Sequence, residues 1–332
     1  MSEVAPVEIS GTLGTLNQFN AVAGILVANS LSFLVPYPQN FEAGTLTIWR
    51  LLFAFPALIA LLQLLLLIFV FKLDTPKYYK NIDDLTSHRE IMSKIYTTNR
   101  SDASLIGTAP VDITDKAPLN GSNQHKNENE KSLSDLFSPR FRMALFVGVC
   151  LSAFHQLTGA NGIIFHSNDL FTEGKTGISA SKAAKIGTFF IGVSSFTGTF
   201  ICLMVIKYIG RKTLMLVGVF LMMFNLSYLG FSSMYGWTIQ QIIGANTFLI
   251  LYNATLAPGL WIYAAEILPP KGMSICAFVN MGMTAIFGTF SNIFFKVMTA
   301  QGFFFTLSAI QVVCLAFIAF FVKETMGKSK EE

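Results

Sequence analysis

Between Met143 and Phe165 the chain is apolar for about the length of a membrane span. Its middle nevertheless reads Phe154-His155-Gln156-Leu157-Thr158-Gly159-Ala160-Asn161-Gly162. An imidazole, two amides and two glycines are expensive company for hydrocarbon, so they face either a polar cavity or a partner helix. An amide offers two donors and an acceptor, which suits a ligand rich in hydroxyls. Gly159 and Gly162 permit the helix to unwind where the amides sit, freeing backbone groups to bind as well. Hydrogen bonding between packed spans fits the same spacing, and spacing alone weighs the two readings equally. Further along, Trp261 follows Pro258-Gly259, a pair expected to break its helix and give it a hinge. An indole can lie against the apolar face of a ligand or pack on the next helix. Near the start, Gln18 and Asn29 lie eleven residues apart, about three helical turns and nearly one face.

The elements that must carry these groups are membrane helices. Of 332 residues, 52% are hydrophobic, 13% are charged and 32 are Phe. That composition excludes an ordinary soluble domain and predicts an all-α, polytopic membrane protein. Eight stretches reach about 20 apolar residues, near 13–33, 50–71, 143–165, 186–206, 213–235, 240–263, 274–296 and 302–322. No cleavable signal peptide is visible before the first of them. Placing residue 1 in the cytoplasm leaves only Arg50, Lys175, Lys182, Lys185 and Lys296 outside; every other Lys and Arg is then cytoplasmic. The short Lys207/Arg211/Lys212 turn is the best witness to this orientation. Residues 72–142 form a charged insert, expected to hold short helices over 80–97 and to be disordered over 99–135. Its sequons at Asn99 and Asn120 are expected to stay silent in cytoplasm. Cys150, Cys202, Cys276 and Cys314 all fall within spans without zinc or redox spacing, and no cofactor or metal is expected. His88, His125, His155 and His166 give no metal spacing, and no nucleophile triad or phosphate loop is present, so an enzyme is not expected.

The motifs together resemble the sugar porter family of the major facilitator superfamily. His155-Gln156-Leu157-Thr158-Gly159-Ala160-Asn161 is similar to the Gln-Gln-Leu-Ser/Thr-Gly-x-Asn segment opening the family's seventh helix, with His155 on the first Gln. Glu3, Pro6 and Gly11 match a Glu-x-x-Pro-x-x-x-Arg-Gly loop with Ser10 at the Arg. Gln18 lies in Gly14-Thr15-Leu16-Asn17-Gln18, which resembles the start of the fifth helix. Leu73-Asp74-Thr75-Pro76-Lys77 resembles Pro-Glu-Ser-Pro-Arg. Gly210, Arg211 and Lys212 match the Asp/Glu-Arg-x-Gly-Arg-Arg/Lys turn, with Lys207 and Tyr208 departing. Pro258, Trp261, Glu266 and Pro269 match the tenth helix and its Glu-x-x-Pro tail; Asn253 stands where many members have Glu, and Ser195 where many have Asn. Glu324, Thr325 and Gly327 match the motif after the twelfth helix. In the eleventh helix Thr284, Ala285 and Gly288 stand where the family has an Asn-Trp pair and a further Asn.

The resemblance implies a partial major facilitator fold, equivalent to helices five to twelve, with helices one to four absent. It divides the chain into 1–71 (the last two helices of the first half), the 72–142 loop, a six-helix bundle over 143–323 and a 324–332 tail. It implies transport of a hexose or related polyol by alternating access. Gln18, His155, Gln156, Ser195, Asn253, Asn161 and Trp261 become substrate residues. Glu3, Gly210, Arg211, Lys212, Glu266 and Glu324 become the cytoplasmic latch, and Gly159, Pro258 and Gly259 hinges. The partners implied are the sugar, membrane lipid and the missing helices or a second copy, with no nucleic acid, in the plasma membrane or an internal one. The alternative is a truncated or non-transporting relative, a sensor or an incomplete gene product.

Overall fold

A computed structural model describes residues 10–31, 33, 48–71, 74–82, 84–95, 136–139, 141–165 and 180–325. The expectations for Glu3, Pro6, Asn99, Asn120, the 99–135 segment and Gly327 lie outside the described residues. Within them every regular element is helical. The chain divides into two compact units, one of residues 1–10 and 49–130, the other of residues 11–48 and 131–332.

The first unit holds α2 (Ile48–Phe69), α3 (Pro76–Asn81) and α4 (Leu85–Ile95). α2 contains Pro56, and none of its span Leu52–Phe69 is buried. The short helices expected in the charged insert are α3 and α4, which pack together. α4 is started by Asp84. Its carboxylate accepts from the Ser87 backbone N–H (3.2 Å), the Thr86 hydroxyl (2.6 Å) and the Ser87 hydroxyl (2.7 Å). Those hydroxyl bonds, Thr86 first, hold the Asp84 carboxyl down at about 2.

The second unit is the helical bundle. α1 (Ser10–Leu31) belongs to it. It is joined by α5 (Arg142–Leu157), α6 (Ala160–Phe165), α7 (Ala180–Val205), α8 (Arg211–Met234), α9 (Thr238–Ala254), α10 (Leu256–Ile267) and α11 (Pro270–Phe321). α8 packs on α11 and α9, α9 on α7, and α11 on α5. Their shared core holds Leu151, Met215, Met222, Phe248, Leu260 and Phe304.

The breaks between helices have local causes. α8 ends where Gly236 takes φ 66; the Trp237 N–H then reaches the Ser232 carbonyl (2.9 Å) and the Gly236 N–H that of Ser233 (3.3 Å). α10 stops because Leu268 precedes Pro269 and is held extended, and Pro270 then opens α11 at a position needing no N–H. α11 is two arms joined at Thr299, a β-branched residue at φ 61 and ψ 160.

Among the described residues, seven helical stretches are long and apolar enough to cross a membrane: Leu52–Phe69, Arg142–Ile164, Lys185–Val205, Arg211–Met234, Thr238–Ile267, Pro270–Ser291 and Val297–Phe321. The eighth expected span, α1, has the length and no charge, but Asn17, Gln18, Asn20 and Asn29 dilute its hydropathy. Hydroxyls inside the spans bond back to their own helix: Ser152 to the Gly148 carbonyl (2.8 Å), Thr199 to Ser195 (3.1 Å), Ser232 to Tyr228 (2.8 Å). That arrangement lets them sit in apolar helices at little cost.

Candidate functional site

The polar stretch of the middle span is broken into two helices. α5 ends at Leu157, Gly159 takes φ 87, and α6 restarts at Ala160. Only glycine fits there, since a Cβ would run into the Leu307 side chain. The unwinding expected of Gly159 is therefore present. Gly162 instead stays helical inside α6, where a Cβ would stand 2.9 Å from Phe287 and 3.1 Å from Phe303.

Around this break four helices place polar groups together. From α5 and α6, Gln156 donates through Nε2 to Asn280 Oδ1 on α11 (2.9 Å), and Asn161 donates through Nδ2 to Gln156 Oε1. Asn280 Nδ2 donates to the Ser152 carbonyl (3.3 Å) and to His155 Nδ1 (3.1 Å). His155 Nε2 lies 2.8 Å from the Tyr252 hydroxyl on α9. The α10 indole of Trp261 stands edge-on to the His155 ring, 6.4 Å between centroids. His155, Gln156 and Asn280 are buried, while Asn161 and Trp261 are half-buried. These hydrogen bonds tie α5 to α6, α9 and α11.

A second polar pair lies next to it. Gln18 on α1 donates to Asn253 Oδ1 at a long 3.4 Å, and Asn253 donates in turn to the Leu249 carbonyl of its own helix (2.9 Å). Asn29 faces α7 rather than the amides, donating to the Thr188 carbonyl (2.9 Å). Ser195 is buried on α7 one turn before Gly198, whose open side meets Ile250 and Asn253. It makes no hydrogen bond to the His155 network among the described residues. The sequence-derived set is thus split: His155, Gln156, Asn161 and Trp261 come together, Gln18 and Asn253 pair beside them, and Ser195 stands apart.

Asn280 and Tyr252 were missed by sequence reasoning. Asn280 lies one turn before Thr284, whose hydroxyl donates to the Asn280 carbonyl (2.9 Å), so the amide of this helix is present but displaced by a turn. A signal existed: Gly272, Cys276, Asn280, Phe287 and Ser291 are buried positions of the first arm of α11, spaced as one helix face.

The expected hinge also moves. The break falls not at Pro258-Gly259 but at Thr255, with φ −131 and ψ −76, between α9 and α10. Pro258 is the cause at one remove, since its ring clashes with the carbonyl four residues back, that of Ala254. Pro258 then sits in the first turn of α10, where a missing N–H costs nothing.

At the other end of these helices Arg211 opens α8. Its guanidinium pairs with Glu266 (Nη2 to Oε1, 3.0 Å; Nε to Oε1, 3.1 Å), and its backbone N–H donates to Glu324 Oε1 (2.8 Å). Glu324 thereby caps a helix N-terminus, packed so closely on Gly210 that a Cβ there would strike its carboxylate. Thr325 donates its hydroxyl to Glu266, and Lys212 donates to the Ala319 carbonyl near the end of α11 (2.9 Å). Gly210, Arg211, Lys212, Glu266 and Glu324 are therefore one cluster.

A bundle of charge-poor helices, one of them unwound at a buried amide cluster, marks a polytopic membrane protein. The chain belongs to the family described as Sugar (and other) transporter, whose profile matches residues 1–332. It is similar to the probable metabolite transport protein CsbC of Bacillus subtilis (strain 168), 30% identical over 100% of this chain and 68% of that protein. It is 29% identical to Hexose transporter 1 of Plasmodium knowlesi, over 98% of this chain and 66% of that one. The chain thus spans about two thirds of the length of these curated relatives. Among solved structures, the major facilitator superfamily proton:xylose symporter XylE bound to 6-bromo-6-deoxy-D-glucose matches with a TM-score of 0.75. That match is 23% identical and covers 100% of this chain and 68% of that one. A partially occluded, inward-open form of the xylose transporter XylE from E. coli matches at 0.70 with 22% identity, over 99% and 67% of the two chains. The fold is therefore the expected major facilitator fold, and the chain is an integral, multi-pass membrane protein.

Proposed function

We propose that this chain takes part in moving a hexose or related polyol across a membrane by alternating access. Gln156 and Asn161 bond its hydroxyls, Trp261 stacks on its ring, and the Gln18–Asn253 pair lies beside them. The observation that carries this reading is the amide and imidazole network at the Gly159 break, with an indole against it. Amides and an aromatic edge are what a neutral, polyhydroxylated ligand needs, and no charge is spent on it. The relatives named for hexose and metabolite transport support the same substrate class. The Arg211–Glu266–Glu324 cluster acts as the cytoplasmic latch: an ion pair and a capped helix end that hold α8, α10 and the end of α11 together and release them when the cavity opens inward. No covalent chemistry is required.

The test is sugar binding by the purified chain. It is measured alone and with the chain joined to the remaining third of a relative such as the Plasmodium hexose transporter. Gln156→Ala is expected to weaken D-glucose or D-xylose affinity by about 1–2 kcal/mol, the size of one or two hydrogen bonds. Trp261→Leu is expected to weaken binding and uptake as well. Wild-type affinity and uptake in both variants would show that the amides and the indole serve packing alone.

A further inference from the structure

The polarity of the amide cluster follows from one backbone atom. The Ser152 carbonyl oxygen can only accept, so the Asn280 atom 3.3 Å from it is the NH2. Turned the other way, Asn280 would set two oxygens against each other. Its Oδ1 therefore faces Gln156, and the Gln156 atom 2.9 Å away is a donor. That fixes the second amide: Nε2 points at α11, and Oε1 receives Asn161 Nδ2. Asn161 Oδ1 is then left without a partner among the described residues. The same Asn280 NH2 stands 3.1 Å from His155 Nδ1, so that nitrogen accepts and the neutral ring carries its hydrogen on Nε2. The Tyr252 hydroxyl lies 2.8 Å from Nε2 and 3.3 Å from Nδ1.

Asn280 reaches the backbone of α5 because the two helices come close. One turn earlier on each, Gly148 faces Cys276, and a Cβ on the glycine would stand 2.9 Å from the Cys276 Sγ. A short amide can therefore span the seam. Asn280 is 2% and Gln156 4% exposed, whereas Asn161 is half-buried. The most enclosed amide is thus the one tied to the backbone, and the most accessible one is two hydrogen bonds further on. The two ends of an amide are nearly alike in shape, so its direction is decided by the neighbours it bonds. Away from water those bonds have no ready substitute.

We propose that Asn280 is a positioning residue of the sugar site: held on the Ser152 carbonyl, it orients the Gln156 amide, and through it that of Asn161, so that this relay meets the ligand with carbonyl oxygens. The assignment rests on the transport reading above and deepens it. Asn280 itself touches no ligand. Gln156 Oε1 keeps a second lone pair beside the one that Asn161 occupies, and Asn161 adds its own Oδ1. Oxygens so placed select a sugar hydroxyl that donates, and they discriminate against a group of similar size that only accepts.

The experiment measures binding of D-glucose and of its monodeoxy and deoxyfluoro forms, with the chain alone and joined to the remaining third of a relative. The positions read by Gln156 are those at which Gln156→Ala no longer tells the deoxy sugar from the parent. There wild type is expected to bind the deoxyfluoro sugar, whose fluorine cannot donate, about five-fold more weakly than the parent, as it does the deoxy sugar. Asn280→Leu is expected to bind the parent about five-fold more weakly and to lose that selection, since Gln156 is free to turn. In a Gln156→Ala chain the same change is expected to add no further loss, whereas a purely structural role would cost the same in both. Asn280→Ala, measured beside it, separates the missing amide from a packing defect of the leucine. Nitrogen NMR of His155 gives an arm that needs no sugar, with Nδ1 bare and Nε2 protonated expected. A protonated Nδ1 overturns the proposal. So does a wild type that takes fluorine as readily as hydroxyl at the Gln156 positions, a Gln156→Ala chain that still discriminates at every position, or an Asn280→Leu loss that persists at full size in that chain. If wild type binds none of the probes in either form, the transport reading itself falls, and this assignment with it.

Discussion

At the scale of single residues, Gly159 and Gln311 make opposite demands. Gly159 sits at φ 87 with the Leu307 side chain where a Cβ would go, so Gly159→Ala meets both backbone strain and a clash. A loss of about 1–3 kcal/mol in stability is expected, with sugar binding impaired because the amides on either side move; thermal unfolding in detergent checks it. Gln311, on the second arm of α11, is fully enclosed, and neither polar atom of its amide meets a partner among the described residues. Gln311→Leu removes an unpaired polar group of similar volume, so a gain of about 1–3 kcal/mol is expected in the same assay. A loss would mean that the amide has a partner bound in the membrane. Both residues were visible in the sequence, but only Gly159 announced itself. A glycine beside amides in an apolar run is legible, whereas whether a buried amide finds a partner depends on helices elsewhere in the chain.

At the scale of elements, the ends of helices carry the charges. Arg211, Glu266, Glu324 and Thr325 tie the starts and ends of α8, α10 and α11. Arg211→Ala leaves two carboxylates near one helix N-terminus without their cation. A loss of about 1–3 kcal/mol is expected, and Arg211→Ala with Glu266→Ala should lose less than the sum of the two, measured as a double-mutant cycle. In the other unit, Asp84 caps α4 with a carboxyl held at about 2, below its usual 3.8. A depressed carboxyl stabilises the folded helix fully above pH 3.8 and loses that contribution as pH falls through about 2. Amide exchange in α4 should therefore quicken over that window and not between pH 5 and 8, and Asp84→Asn should flatten the effect. The short helices and the helix-end motifs were legible because caps and prolines act within four residues. The break at Thr255 was misplaced to Pro258-Gly259 because a proline disturbs the turn before it rather than the residue it occupies.

At the scale of the whole molecule, the basic residues set an orientation. The turn Lys207–Lys212 is expected to face the cytoplasm, and the turn after α8 at Gly236 the opposite side. Tyr208 is 83% and Trp237 51% exposed, so each accepts a cysteine for labelling. Cys202, Cys276 and Cys314 are buried and give little background once half-buried Cys150 is replaced. In intact cells an impermeant maleimide should label Trp237→Cys and spare Tyr208→Cys until the membrane is opened. The reverse pattern would invert the topology.

The sequence by itself determined the class of this molecule and most of its membrane spans, because span length, apolarity and charge bias are local sums that need no knowledge of neighbours. It also marked His155, Gln156, Asn161 and Trp261, since polar groups at the centre of a charge-free span are rare enough to be informative. Only the tertiary structure decided what those groups do to one another. Asn280 reaches the Ser152 carbonyl and the His155 ring, and that ring meets Tyr252, across separations of more than ninety residues in chain. Hydrogen bonds have direction, and a direction is settled by which acceptor lies opposite, which no periodicity along one helix can tell.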